Sequence, residues 1–149
     1  MDDDIRVLLV DDQELVRYGF RLLLQAEPGV AVVGEASDGG QAVAAVEELR
    51  PDVVLMDVRM PGVDGIEATG RIMVSRPGTR VLVLTTYDLD EYAFGALGAG
   101  AAGFLLKDTR PADLVAAIRA VHSGDAVVSP RITAKLIEVA APHLGVRRP

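Results

Sequence analysis

The sequence contains no cysteine, which excludes disulfides, thiol nucleophiles and Cys-ligated zinc. Nor has it a surplus of positive charge: 15 Lys and Arg stand against 22 Asp and Glu, a formal net charge of -7. Holding DNA or RNA needs a basic face, so this stretch is not itself expected to bind nucleic acid. A long apolar run is also lacking. The longest uncharged segment, Tyr92 to Leu106, is short of the ~20 residues of a spanning helix and is broken by glycines, so no membrane association is expected. The N-terminus, Met1-Asp-Asp-Asp4, carries acids where a secretory signal has a basic start, which makes the cytoplasm the expected location. Internal repeats and low-complexity segments are absent as well.

What is present is a globular composition: 149 residues, half hydrophobic and a quarter charged, enough for one domain with a real core and a short tail. Ile5–Val10 reads as a buried strand that ends in Asp11-Asp12. Val16, Phe20 and Leu23 then recur at helical spacing up to Pro28-Gly29. Val30–Val33 reads as a second strand, and Asp38-Gly-Gly leads a helix with Ala42, Ala45, Val46 and Leu49 on one side, closed by Pro51. The third strand, Val53-Val-Leu-Met-Asp57, drives into a lone carboxylate, followed by Pro61, Gly62 and Gly65, which shape a loop. Asp64 is placed to cap the next helix, which Pro77-Gly78 ends.

Val81–Leu84 forms a fourth strand terminating in Thr85-Thr86. A helix follows over about Asp88 to Ala99, and its interior Gly95 and Gly98 make it the least rigid of the set. Gly103–Leu106 is a fifth strand ending in Lys107, and Pro111 opens a helix with Leu114, Ala117, Ile118 and Val121 inward. Five strand–helix alternations, with strands apolar on both faces, specify an α/β fold: a parallel sheet covered by helices on both sides. After Ser123-Gly124 the pattern changes. Ser129-Pro130 can start a short helix bearing Ile132, Leu136 and Val139, and no further sheet strand is expected.

A parallel sheet puts the carboxyl ends of all its strands on one edge, where open α/β sheets place their chemistry. That edge receives Asp11 and Asp12, Asp57, Thr85 and Lys107. Each alone has an ordinary reading: an acid pair is usually a turn or cap, and a strand-end lysine is usually solvated. Together they make a site. Carboxylates crowded in one cleft repel, and Mg²⁺ suits an all-oxygen set while leaving positions for phosphate oxygens. A lysine and a hydroxyl alongside supply what a phosphoryl group needs. With no cysteine and no histidine in the set, Asp57 is the plausible nucleophile.

Leu8-Leu-Val-Asp-Asp12, Leu55-Met-Asp-Val-Arg-Met-Pro-Gly-Val-Asp-Gly65, Leu82-Val-Leu-Thr85 and Gly103-Phe-Leu-Leu-Lys107 resemble the receiver domain of bacterial two-component response regulators. The likeness covers residues 5 to about 123. Lys107-Asp108 in place of the commoner Lys-Pro, with Val128-Ser-Pro-Arg131, is similar to the NarL/FixJ branch, whose members carry a C-terminal LuxR-type helix-turn-helix.

The resemblance implies a doubly wound, CheY-like five-stranded parallel sheet of order 2-1-3-4-5, with residues 1–124 as receiver and 125–149 as a linker towards a DNA-binding domain beyond this chain. It implies that Asp57 accepts a phosphoryl group from a sensor histidine kinase or a small phosphodonor. Asp12, Asp57 and the Arg59 carbonyl would bind Mg²⁺ directly, and Asp11 through water. Lys107 would pair with phosphoryl oxygens, Thr85 would shift to hydrogen-bond the phosphate, and Phe104 would be the coupled aromatic switch. Phenylalanine has no hydroxyl with which to hold either switch state, unlike the tyrosine of many relatives.

Arg59 and Tyr87, each two residues past a site residue, are expected to tune phosphate lifetime, with plain rim residues as the alternative. Thr86 stands where a small residue is common. The output is expected to be homodimerisation on phosphorylation and transcription control, with catalysis confined to the domain's own phosphorylation and dephosphorylation. Two other readings stay open: a stand-alone receiver relaying protein interactions, and a Mg²⁺-dependent phosphatase with an aspartate nucleophile, although Arg59 occupies the place of that class's second acid. His122 and His143 read as surface residues, Asp2–Asp4 as a solvated tail, and Met56, Met60 and Met73 as packing.

Overall fold

The computed structural model describes residues 3–58, 60, 62–85, 95–96, 98–128, 134 and 138. In chain order the elements are β1 (Ile5–Val10), α1 (Glu14–Gln25), β2 (Val30–Ala36), α2 (Gly39–Leu49), β3 (Val53–Asp57), α3 (Gly65–Ser75), β4 (Arg80–Thr85), β5 (Gly103–Leu106), α4 (Pro111–His122) and β6 (Val127–Val128). All strand pairs are parallel, in the order β2-β1-β3-β4-β5-β6. The expected order 2-1-3-4-5 stands. It is extended by β6, where no further strand was expected: Val127 and Val128 pair with Gly103 and Phe104. Two residues are too few to show any periodicity, so this strand is defined by its position beside the open edge of β5.

The strands carry apolar residues on both sides because both sides are covered. Leu8, Val10, Val54, Met56, Val81, Val83 and Phe104 share one core with Ala42 and Val46 of α2 and Ala68 and Ile72 of α3. Val7, Leu9, Val53, Leu55, Leu82, Leu84 and Leu105 face the other way, onto Leu24 of α1 and Leu114, Ala117, Ile118 and Val121 of α4. The pleat's period of 2 thus divides one run of side chains between two cores. Met56 and Met60 are buried in the first core and Met73 packs against it, as read from the sequence.

Helix starts are set by side chains. Asp38 accepts the Gln41 amide at 2.8 Å and Asp64 the Glu67 amide at 3.0 Å, each satisfying a donor the helix leaves open. Of the helix expected over Asp88 to Ala99, Gly95, Ala96 and Gly98 are helical and the Ala99 amide bonds to the Gly95 carbonyl at 3.0 Å; the rest lies outside the described residues. So does the helix expected from Ser129-Pro130, apart from Ala134 and Glu138, which are helical. His122 is exposed at the end of α4, while His143 and Asp2 lie outside the described residues. Among the described residues no helix is long and apolar enough to cross a membrane.

Candidate functional site

The site is assembled by register. Val10 pairs with Met56, Asp57 with Leu84, and Thr85 with Leu106, so each strand releases its last residue at the same edge. β1 lies between β2 and β3, the point at which chain direction across the sheet reverses and a crevice opens. Asp11, Asp12 and Asp57 each offer a carboxylate oxygen within 4.8 Å of the others. Asp11 and Asp57 are buried at 4% and 6% exposure, whereas Asp12 is exposed.

The Lys107 ammonium sits between the two buried acids, 3.1 Å from Asp11 Oδ2 and 3.2 Å from Asp57 Oδ1. Burial alone would push this ammonium's pKa down. The charge of Asp57, together with the hydrogen bond and charge of Asp11, outweighs that and leaves it raised above the ordinary lysine value. The Lys107 amide is held by the Thr85 carbonyl at 2.7 Å, which ties the end of β5 to that of β4. Thr85 is buried at the sheet edge and Phe104 is fully buried three residues before Lys107.

Asp11 is committed on several sides. Its Oδ1 accepts the Gln13 amide at 2.9 Å, its Oδ2 faces Lys107, and its backbone carbonyl accepts Arg17 Nη1 at 2.6 Å. Asp12 has no such commitments among the described residues. Asp12 is thus the exposed member of the cluster, beside a buried Asp11 that is already engaged. Among the described residues three acids against one ammonium leave an excess of negative charge, and oxygen-only donors at this spacing fit a small hard cation such as Mg²⁺.

The loop after Asp57 is braced by two glycines whose role the sequence did not disclose. A Cβ on Gly65 would lie 2.0 Å from the Asp57 carbonyl oxygen, and one on Gly39 would lie 2.2 Å from the Val63 carbonyl oxygen. In their place amides bond: Gly65 to the Val58 carbonyl and Gly39 to the Val63 carbonyl, both at 2.9 Å. The sequence marked Gly65 as a loop former and Gly39 as a helix start. Neither position carries a signal for backbone-to-backbone contact, which requires the fold.

The expected site residues Asp11, Asp12, Asp57, Thr85 and Lys107 thus come to one edge, with Phe104 behind them in β5. Arg59, whose carbonyl was expected on the cation, lies outside the described residues, as do Pro61, Thr86 and Tyr87.

Comparison with known proteins gives one consistent result. Residues 7–119 match the response regulator receiver domain family. The chain is 49% identical over 135 residues to the uncharacterized transcriptional regulatory protein YxjL of Bacillus subtilis, covering 91% of this chain and 62% of that protein. It is 41% identical over 146 residues to the transcriptional regulatory protein LiaR of the same organism, covering 93% of this chain and 69% of that one. Among solved structures, a LuxR-family two-component response regulator from Aurantimonas superposes with a TM-score of 0.84 at 40% identity, covering 95% of this chain and 99% of the other. The chain therefore spans less than two thirds of the length of YxjL.

Proposed function

This chain belongs to the receiver-domain family of two-component response regulators, on the NarL/LuxR branch, and from that premise we propose that Asp57 is the phosphoacceptor of a phosphorelay. The observation that carries the reading is the Lys107 ammonium within 3.2 Å of Asp57 and 3.1 Å of Asp11, beside three mutually close carboxylates at the sheet's carboxyl edge. An Asp57 carboxylate oxygen attacks phosphorus. The bond from phosphorus to the donor breaks, and its electron pair leaves with the donor: the imidazole of a sensor kinase's phosphohistidine, or the acetate of acetyl phosphate.

Asp12, Asp57 and the Arg59 carbonyl would hold Mg²⁺ directly and Asp11 through water; when bound, the cation would supply charge neutralisation at the phosphoryl oxygens. Lys107 releases part of its hold on Asp11 and Asp57 to pair with a phosphoryl oxygen. The Thr85 hydroxyl, one strand over, donates to another. Phosphate adds nearly two negative charges and three acceptor oxygens beside the Lys107 ammonium and the Thr85 hydroxyl, where the acids would also hold the cation. Because Thr85 and Lys107 end β4 and β5, their movement displaces the segments those strands lead into, with Phe104 repacking in response.

The output follows from the relatives' printed roles as transcriptional regulatory proteins. Residues 1–124 act as receiver and 125–149 lead towards a DNA-binding helix-turn-helix, with phosphorylation promoting a homodimer in the cytoplasm. Catalysis is limited to the domain's own gain and loss of phosphate. Incubation with acetyl phosphate and Mg²⁺, followed by intact mass, tests the core of this reading: wild type gains one phosphoryl unit and Asp57→Ala none. Uptake by Asp57→Ala equal to wild type would overturn it. Arg59 and Tyr87 set the lifetime of the phosphate; dephosphorylation rates unchanged in Arg59→Ala and Tyr87→Ala would assign them to the rim alone.

A further inference from the structure

Asp12 is the member of the acid cluster that no side chain holds among the described residues, so its place in the cluster is set by its backbone. The peptide that joins it to Asp11 is planar. Fixing the direction of the Asp11 carbonyl therefore fixes the plane from which the Asp12 Cα departs. Asp11 lies one residue past β1, and its carbonyl is taken by a side chain: Arg17 Nη1 of α1 donates to it at 2.6 Å. On the other side of the same residue, the Asp11 amide bonds to the Ala36 carbonyl at 3.1 Å.

The guanidinium is itself held. Arg17 Nε donates to Glu35 Oε1 at 3.0 Å, and Arg21 pairs with the other carboxylate oxygen. Glu35 stands in β2 level with Leu9 of β1, so the anchor comes from the neighbouring strand and not from the loop that it braces. Arg21 in turn lies over the Tyr18 ring, 5.2 Å from its centroid. The Arg17 side chain is only 15% exposed. Ordering a long cation between one carboxylate and one carbonyl is an expensive way merely to tie a helix to a strand.

We propose that Arg17 is a positioning residue for phosphoryl transfer: through the Asp11–Asp12 peptide it holds Asp12 at the spacing from Asp11 and Asp57 that Mg²⁺ needs, with Glu35 fixing its guanidinium. The inference rests on the reading of Asp57 as phosphoacceptor and adds what keeps the cation ligands in place. Two plainer roles differ from it in sign. A bare positive charge near three acids opposes a cation, so its removal would tighten Mg²⁺ binding. A simple tie between α1 and β2 would cost stability when removed and leave the affinity unchanged. Loss of a positioning residue weakens binding even though the site becomes more negative.

Wild type, Arg17→Met, Glu35→Gln and the double variant are titrated with MgCl₂ at constant ionic strength, read by melting temperature, and then phosphorylated with acetyl phosphate over a range of Mg²⁺. Arg17→Met should bind Mg²⁺ about tenfold more weakly, the scale of an outer-shell partner, and need correspondingly more for half-maximal uptake. Glu35→Gln should be weakened less. The double variant should match Arg17→Met, because Glu35 acts only through Arg17; charge alone would return it to wild-type affinity. In metal-free protein the Gln13 amide, bonded to Asp11 Oδ1 at 2.9 Å, should exchange faster in Arg17→Met. The Gln41 and Glu67 amides, capped by Asp38 and Asp64, should keep their wild-type rates.

Mg²⁺ affinity in Arg17→Met equal to or tighter than wild type would overturn the proposal. So would a uniform rise in exchange at all three amides, or a double variant restored to wild-type affinity. If Arg17→Met gives no cooperative melt, Glu35→Gln decides. A deficit that persists at about 1 M salt, where charges are screened within about 3 Å, supports positioning, and one that vanishes overturns it. Failure of wild type to take up phosphate overturns the assignment of Asp57 and this proposal with it, whereas a competent wild type with unaffected variants overturns this proposal alone.

Discussion

Lys107 holds two buried acids with one ammonium, and this has a consequence in pH. Its pKa in the folded protein lies above the ordinary value of 10.5, so the folded state binds this proton more tightly than the unfolded chain. The stabilisation is full below the unfolded value and is lost as pH rises through the folded one. In Mg²⁺-free buffer, wild type should exceed Lys107→Met in urea midpoint at neutral pH, and the gap should narrow above about pH 10.5. A gap independent of pH would mean that Lys107 contributes by packing alone. At Gly65 the effect is steric. The Asp57 carbonyl leaves no room for a Cβ at 2.0 Å, so Gly65→Ala should cost about 1–3 kcal/mol, as overpacking does, and slow phosphoryl uptake by displacing Asp57. A variant of wild-type stability and uptake would refute this. The sequence showed all five edge residues because strand ends are punctuated by polar residues. It could not show that Gly39 and Gly65 clamp the loop between them, because their partners lie at other positions in the chain and only the fold brings them to van der Waals distance.

At the scale of the element, the parts visible in the sequence are those whose physics is local. Asp38 and Asp64 cap helices three residues ahead of the amides they bind, a distance any reader of the chain can count. Asp64→Ala should therefore lower stability by about 1 kcal/mol with Asp57 still competent for phosphate, measured by urea melts and intact mass. A loss above about 3 kcal/mol would show that Asp64 braces the site loop as well as the helix. Long apolar strands between polar turns were equally legible. β6 was not, since Val127–Val128 is stabilised by the edge of β5 rather than by any pattern of its own. The exposed apolar side of α1, with Leu15, Tyr18 and Leu22, was hidden for another reason: Val16, Phe20 and Leu23 account for a helix, and a second apolar side is invisible until burial separates the two.

For the molecule as a whole, the acid cluster sets stability against function. Asp11, Asp12 and Asp57 are held close in a chain whose net charge is already -7, and one ammonium does not neutralise three carboxylates. The fold carries this repulsion, so on the proposed reading Mg²⁺ held by these acids should also stabilise. At a hundredfold excess over the dissociation constant the gain is about 2.7 kcal/mol, a rise in Tm of roughly 5–10 °C for a domain of this size. Asp12 is the discriminating residue because it is exposed and unengaged among the described residues, while Asp11 and Asp57 are tied to Lys107. Asp12→Asn should relieve repulsion and melt higher than wild type without Mg²⁺, yet lose most of the rise when Mg²⁺ is added. Melting curves across a MgCl₂ series at constant ionic strength separate the two effects, because general screening is then held fixed and only specific binding varies. If Asp12→Asn gained as much from Mg²⁺ as wild type, the cation would not be held by Asp12, and the division between a direct Asp12 and a water-mediated Asp11 would have to be reversed.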